Sequence, residues 1–162
     1  MTVFYTNSVE GTEEAAAQIA KSLMGGEVLL LSGGLGAGKT AFVRGLVRGL
    51  EGDENEVSSP TFALMNQYEG RLTVRHFDLY RLGDAEEVYD LGFDEIFRSG
   101  DGVCAVEWHS VAGEDFWRGV NTVSVVLEGE NEERTITVEG NHDSIDAGRP
   151  VELGVRECAE RG

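Results

Sequence analysis

The chain has 162 residues, 41% of them hydrophobic, and its 30 acidic and 13 basic side chains set a formal charge of -17. That length fits one compact α/β domain with an adequate core, and leaves little room for a second. The charge excludes a broad basic surface that grips nucleic acid or anionic lipid unaided.

The elements alternate between strands and helices along the chain. "TVFYT" reads as a short strand. "SVEGTEEAAAQIAKSLM" follows as a helix, with Thr12 as its N-cap, Glu13 and Glu14 in the first turn, and Ala16, Ile19, Ala20 and Leu23 at helical spacing. After a Gly-Gly break, "EVLLLS" is a continuous apolar run suited to a buried parallel strand. A glycine-rich loop and the helix "TAFVRGLVRGL" come next, then a polar loop around Pro60. "FALMNQYEGRLTVRHFDLYRL" predicts two strands turning at Glu69-Gly70. A turn that tight joins only antiparallel neighbours, so the sheet should mix parallel and antiparallel strands. "DAEEVYDLGFDEIFRSG" predicts one or two short acidic helices ending at Gly100. "GVCAVEW" is an apolar strand closing on an acid, and "NTVSVVLEGENEERTITVEG" is a hairpin. The pattern therefore predicts a three-layer α/β domain over residues 1–140, followed by a weakly structured tail over 141–162. Cys104 and Cys158 form no CxxC pair or disulfide framework, which points to a reducing cytoplasm. "MTVFYTNSVEGTEE" lacks the pattern of a signal peptide, and no apolar run approaches the ~20 residues of a membrane span.

The chemistry concentrates in "GGLGAGKTAF". Gly33, four residues, then Gly38-Lys39-Thr40 match G-x-x-x-x-G-K-[ST], between an apolar strand and a helix. Glycines at φ > 0 curl the backbone until several N–H groups face one centre, and the helix N-terminus adds partial positive charge there. The loop residues Gly33, Gly36, Ala37, Gly38, Lys39, Thr40 and Ala41 are thus the expected polyphosphate site, with Lys39 on the β- and γ-phosphates and the Thr40 hydroxyl on Mg²⁺.

A nucleotide-hydrolysing site also needs carboxylates at strand ends near that loop. Asp78 closes "LTVRHFD" and Glu107 closes "VCAVE". An acid at such a place also serves as a helix cap or faces solvent. Two of them beside a phosphate loop favour the catalytic role. Glu107 has the longer reach and follows the more apolar strand, so it is assigned with Thr40 to the metal, and Asp78 to the attacking water or a switch. "SSPTF" is either a switch segment bringing Thr61 to the γ-phosphate or an ordinary turn fixed by Pro60. Trp108 is either a strand-end core aromatic or a stacking surface. His76 and His109 have no zinc-ligand spacing with cysteines. No Asn precedes a Lys, which removes the guanine-specific N-K-x-D pattern, and the arginines beyond residue 110 are scattered rather than grouped as a kinase lid. A small-molecule kinase and a non-hydrolysing nucleotide sensor remain as alternatives.

"GGLGAGKTAFVRGL", "SSPTFAL", "HFDLYRL" and "VEW", in this order and approximate spacing, resemble the bacterial TsaE (YjeE) family over about residues 5–140. The resemblance implies a P-loop ATPase of tRNA threonylcarbamoyladenosine biosynthesis, weak and partner-dependent, using Mg²⁺ with ATP. It implies the proteins TsaD and TsaB as partners in modifying adenosine 37, with tRNA met through that complex and no membrane. It carries Lys39, Asp78 and Glu107 over as catalytic residues, Thr40 and Glu107 as metal contacts, Thr61 as the switch threonine and Trp108 as the tryptophan beside the acid. Val9, Thr12 and Arg134 match positions near the nucleotide. The chain departs from the family at Gly34, where aspartate is common, and at Ala41, where a second threonine is common.

Overall fold

The structure, a computed structural model, describes residues 1–34, 36–60 and 63–140. The tail read over 141–162 lies outside the described residues. One seven-stranded sheet organises the rest, from β1 (Thr2–Thr6), β2 (Val28–Ser32), β3 (Met65–Tyr68), β4 (Val74–Asp78), β5 (Val103–Glu107), β6 (Thr122–Glu128) and β7 (Arg134–Gly140), in the order β1-β7-β6-β2-β5-β4-β3. β2 pairs in parallel with β5 and β6, and β4 in parallel with β5. The two hairpins, β3–β4 and β6–β7, and the β1–β7 pair are antiparallel. The sheet is therefore mixed, as the hairpin signals predict.

Burial follows from position in this order. β5 lies between β2 and β4 with both faces covered, and each residue of Val-Cys-Ala-Val-Glu is buried. That is why it reads as an unbroken apolar run. β6 instead alternates, with Val123, Val125 and Leu127 buried and the residues between them only partly so.

Two layers cover the faces. On one, α1 (Val9–Ala20) and α2 (Lys39–Gly49) pack over Leu29, Leu31, Val103, Ala105, Val123 and Val125. The two helices approach unusually closely. A Cβ at Gly45 would collide with the backbone of Glu13, and one at Gly49 would sit 2.7 Å from the Ala17 carbonyl. Ala17 and Ala20, both buried, supply the small side chains on the α1 side of this seam. On the other face, α3 (Ala85–Asp90), α4 (Phe93–Arg98) and two 3₁₀ turns, His109–Ala112 and Glu114–Trp117, cover Phe77, Cys104 and Val106. No helix of the described residues is long and apolar enough to cross a membrane.

Two local expectations need correction. Ser8, not Thr12, caps α1: its Oγ accepts from Gly11 N–H at 2.9 Å, which starts the helix a turn earlier. Thr12 is buried inside the helix, its Oγ1 3.3 Å from Thr6 Oγ1. The β3–β4 connection is wider than the two residues Glu69-Gly70 and spans 69–73. Gly70 stays in it because a Cβ there would crowd the Leu50 carbonyl.

Candidate functional site

The loop between β2 and α2 opens at Gly33 and ends at Gly38, whose φ of 101° is the left-handed value that glycine adopts without penalty. Gly38 caps α2 with no side-chain hydrogen bond, so the first N–H groups of the helix stay directed out of its end. Gly36, Ala37, Gly38, Lys39, Thr40 and Ala41 line one cavity of about 650 Å³. Across that cavity stand Ser59, Asp78, Tyr80, Glu107 and Trp108.

Sheet register explains why the two acids meet. β4 and β5 run in parallel, with Asp78 the Cα partner of Glu107, and Glu107 in turn the partner of Leu31 on β2. Both carboxylates thus leave the sheet level with the start of the glycine loop, on the face that α2 covers. Both are buried. Asp78 accepts from the Tyr80 N–H at 3.0 Å. Glu107 Oε2 lies 2.6 Å from His76 Nε2, and its Oε1 lies 3.6 Å from Lys39 Nζ. Lys39 also donates to the Gly33 carbonyl at 3.0 Å. Burial pushes the Glu107 carboxyl up, but the His76 hydrogen bond and charge, together with the Lys39 ammonium, outweigh it and hold the group below the ordinary carboxylate range.

His76 is an addition to the expected set. It is fully buried on β4, and its Nδ1 has no hydrogen-bond partner. Strand alternation carries the signal: in "HFD" the first and third residues share a face, which puts His76 behind the acid row. His109 is a second addition. Its Nε2 lies 3.0 Å from the Ser32 hydroxyl, tying the segment after β5 to the last residue of β2, and burial lowers its pKa.

Trp108 sits at φ 60°, ψ 38°, a left-handed conformation that costs a bulky residue about 1–2 kcal/mol. Its ring is 4.9 Å from that of Tyr80 and 5.6 Å from Lys39 Nζ. It is 46% exposed, so it is a wall of the cavity and not a core aromatic.

Other expected residues lie outside this lining. Gly33 faces a second depression beside Val126 and Leu127. Val9 is exposed on the first turn of α1, and Thr12 is buried beneath the loop, its methyl 3.8 Å from where a Cβ of Gly38 would stand. Arg134 bonds to the loop carbonyls rather than facing the cavity. Thr61 lies outside the described residues, although Ser59, two residues before it, is in the lining.

The donor set suits Mg²⁺. Thr40, Asp78 and Glu107, which offer one hydroxyl and two carboxylates, all line one cavity. Among the described residues no three His, Cys, Asp or Glu side chains form a metal cage. Mg²⁺ needs no such cage, because it takes one or two protein oxygens and completes its shell with phosphate and water.

Residues 6–136 match the family model described as threonylcarbamoyl adenosine biosynthesis protein TsaE. The chain is 39% identical over 132 residues to the tRNA threonylcarbamoyladenosine biosynthesis protein TsaE of Treponema pallidum, covering 81% of this chain and 96% of that one. It is 41% identical over 138 residues to the TsaE of Bacillus subtilis, covering 84% and 85%. A match to the Rickettsia conorii TsaE, 40% identical, spans 65% of this chain and 59% of that relative. Among solved structures, the crystal structure of YdiB from Bacillus subtilis superposes with a TM-score of 0.68 at 30% identity, over 90% of this chain and 89% of that one.

Proposed function

This chain belongs to the TsaE family of threonylcarbamoyl adenosine biosynthesis proteins, and from that premise we propose that it binds ATP with Mg²⁺, hydrolyses it slowly, and acts as a nucleotide-driven switch on a TsaB–TsaD complex that modifies adenosine 37 of tRNA. The observation that carries the reading is the convergence of residues 36–41 with Asp78 and Glu107 around one cavity.

Each residue has a distinct task. The N–H groups at the start of α2 and the Lys39 ammonium bind the phosphates. Thr40 and Glu107 would hold the Mg²⁺, which supplies charge neutralisation when bound. His76 donates to Glu107 Oε2 and so fixes the carboxylate, leaving Oε1 on the Lys39 side. A carboxyl held below its ordinary range is ionised at neutral pH, as an anionic oxygen ligand must be. Asp78 orients the attacking water or accepts its proton. Trp108 and Tyr80 wall the cavity beside the phosphate end. The charge of -17 repels a polyanion, so tRNA is met through the partners.

The test is capture on the immobilised full chain, offered TsaB and TsaD with and without Mg-ATP, alongside hydrolysis rates in their presence. Nucleotide-dependent retention and faster hydrolysis are expected. Retention that ignores nucleotide, or none at all, contradicts the switch. Hydrolysis that rises only with an added small acceptor points to a kinase instead.

A further inference from the structure

The guanidinium of Arg134, the first residue of β7, gathers four backbone carbonyls from two loops that are remote in sequence. Its Nε donates to Ala37 O at 2.8 Å and its Nη2 to Gly36 O at 2.8 Å, both in the glycine loop. Its Nη1 donates to Asn131 O at 2.6 Å and to Glu133 O at 2.8 Å, both in the hairpin loop between β6 and β7. The planar fork of arginine can span such a set, whereas the point charge of lysine cannot.

The consequence for the glycine loop is geometric. A trans peptide places its C=O and N–H on opposite sides. With Ala37 O drawn to the guanidinium, the Gly38 N–H of the same peptide is turned the other way. The Ala37 N–H is already engaged with Gly34 O at 3.0 Å, so Gly38 is the donor this clamp orients. Arg134 packs directly beneath, its Nε 3.9 Å from where a Cβ of Gly38 would stand. The hairpin loop that supplies the other two carbonyls depends on Gly129. Its φ is +148°, and a Cβ there would collide with the Glu133 carbonyl.

We propose that Arg134 is a positioning residue for the phosphate loop, acting on a bound polyphosphate through the backbone of residues 36–38 and making the β6–β7 hairpin loop part of the site. It needs no contact with base or ribose. The proposal rests on the reading that residues 33–40 bind phosphate.

Titration calorimetry of the full chain with two probes, Mg-ATP and Mg-tripolyphosphate, separates this role from direct recognition of the nucleoside. Arg134→Ala is expected to weaken both probes by the same factor, tenfold or more, with Arg134→Lys restoring little and millimolar methylguanidinium restoring both. Gly129→Ala, whose Cβ would meet the backbone of Glu133 and Arg134 while leaving the Arg134 guanidinium in place, is expected to weaken both at least threefold. Thermal melts followed by circular dichroism identify the folded variants. Loss of ATP binding with tripolyphosphate unchanged would assign Arg134 to the base or ribose and overturn the proposal. Unchanged affinity for both probes in either folded variant overturns it too. Wild-type protein that binds neither probe would instead sink the nucleotide-binding reading itself.

Discussion

The two faces of the sheet are built from different materials. The face under α1 and α2 is mainly aliphatic, with Phe4, Phe42 and Tyr68 as its buried aromatics and glycines and alanines where the helices meet, and it carries a row of buried polar groups: His76 and Asp78 on β4 and Glu107 on β5. The face under α3 and α4 is aromatic. Phe97 packs at 4.7 Å from Phe77 and 5.0 Å from Trp117, and Phe116 lies 4.7 Å from Trp117. Buried polar groups cost free energy unless paired, and aromatic contacts add about 0.5–1.5 kcal/mol beyond their buried area. Both faces hold the sheet together, but among the described residues only the α1–α2 face also carries a row of buried polar groups.

The largest expected effect falls on the first face. Lys39→Ala should reduce nucleotide affinity by a hundredfold or more and remove measurable turnover, while the thermal melt shifts little. Lys39 is the first residue of α2, and its side chain bonds to Gly33 O and Glu107 at the site. Nucleotide titration with circular dichroism checks both halves, and a collapsed melt would erase the contrast between the faces. The second face gives the reverse. Phe97→Ala removes a ring that is 2% exposed and should lower stability by about 3–5 kcal/mol, read from urea unfolding, with nucleotide affinity of the folded protein unchanged within a factor of two.

Asp78→Asn sharpens the division of labour within the polar row. Under the proposed role of Asp78 on the attacking water, hydrolysis should slow about a hundredfold with ATP affinity nearly intact. If Asp78→Asn instead loses the dependence of binding on Mg²⁺, the roles of the two acids are exchanged. Unchanged hydrolysis in this variant would favour a nucleotide sensor.

The smallest effect is electrostatic. The folded-state pKa of Glu107 is depressed, so its ionisation stabilises the fold above the unfolded value near ~4.3, and this contribution is lost as pH falls through the lower folded value. The stability difference between pH 7 and pH 3, measured by urea unfolding, should be smaller in Glu107→Gln than in wild type. An identical difference would mean that His76 and Lys39 do not favour the ionised acid.

Much of this was readable in the sequence because it rests on short-range rules. The glycine loop announces itself by spacing, β5 by its unbroken apolar run, and Asp78 and Glu107 by ending their strands. The mixed sheet follows from two hairpins. What was not readable depends on contacts between remote segments. The four carbonyls around Arg134 come from loops nearly a hundred residues apart. The bond from His109 to Ser32 spans 77 positions. The N-cap is ambiguous for a local reason: Ser8 and Thr12 are both good caps, and Gly11 between them argues against helix although its N–H is the very group that Ser8 caps.

The most direct measurement is isothermal titration of ATP into the full chain and into Glu107→Ala, each with and without Mg²⁺. Wild type should bind tightly with Mg²⁺ and much more weakly without it, and Glu107→Ala should lose most of that difference while still binding the nucleotide. Wild-type affinity that is absent, or indifferent to Mg²⁺, would contradict the assignment of the α1–α2 face as a Mg-ATP site.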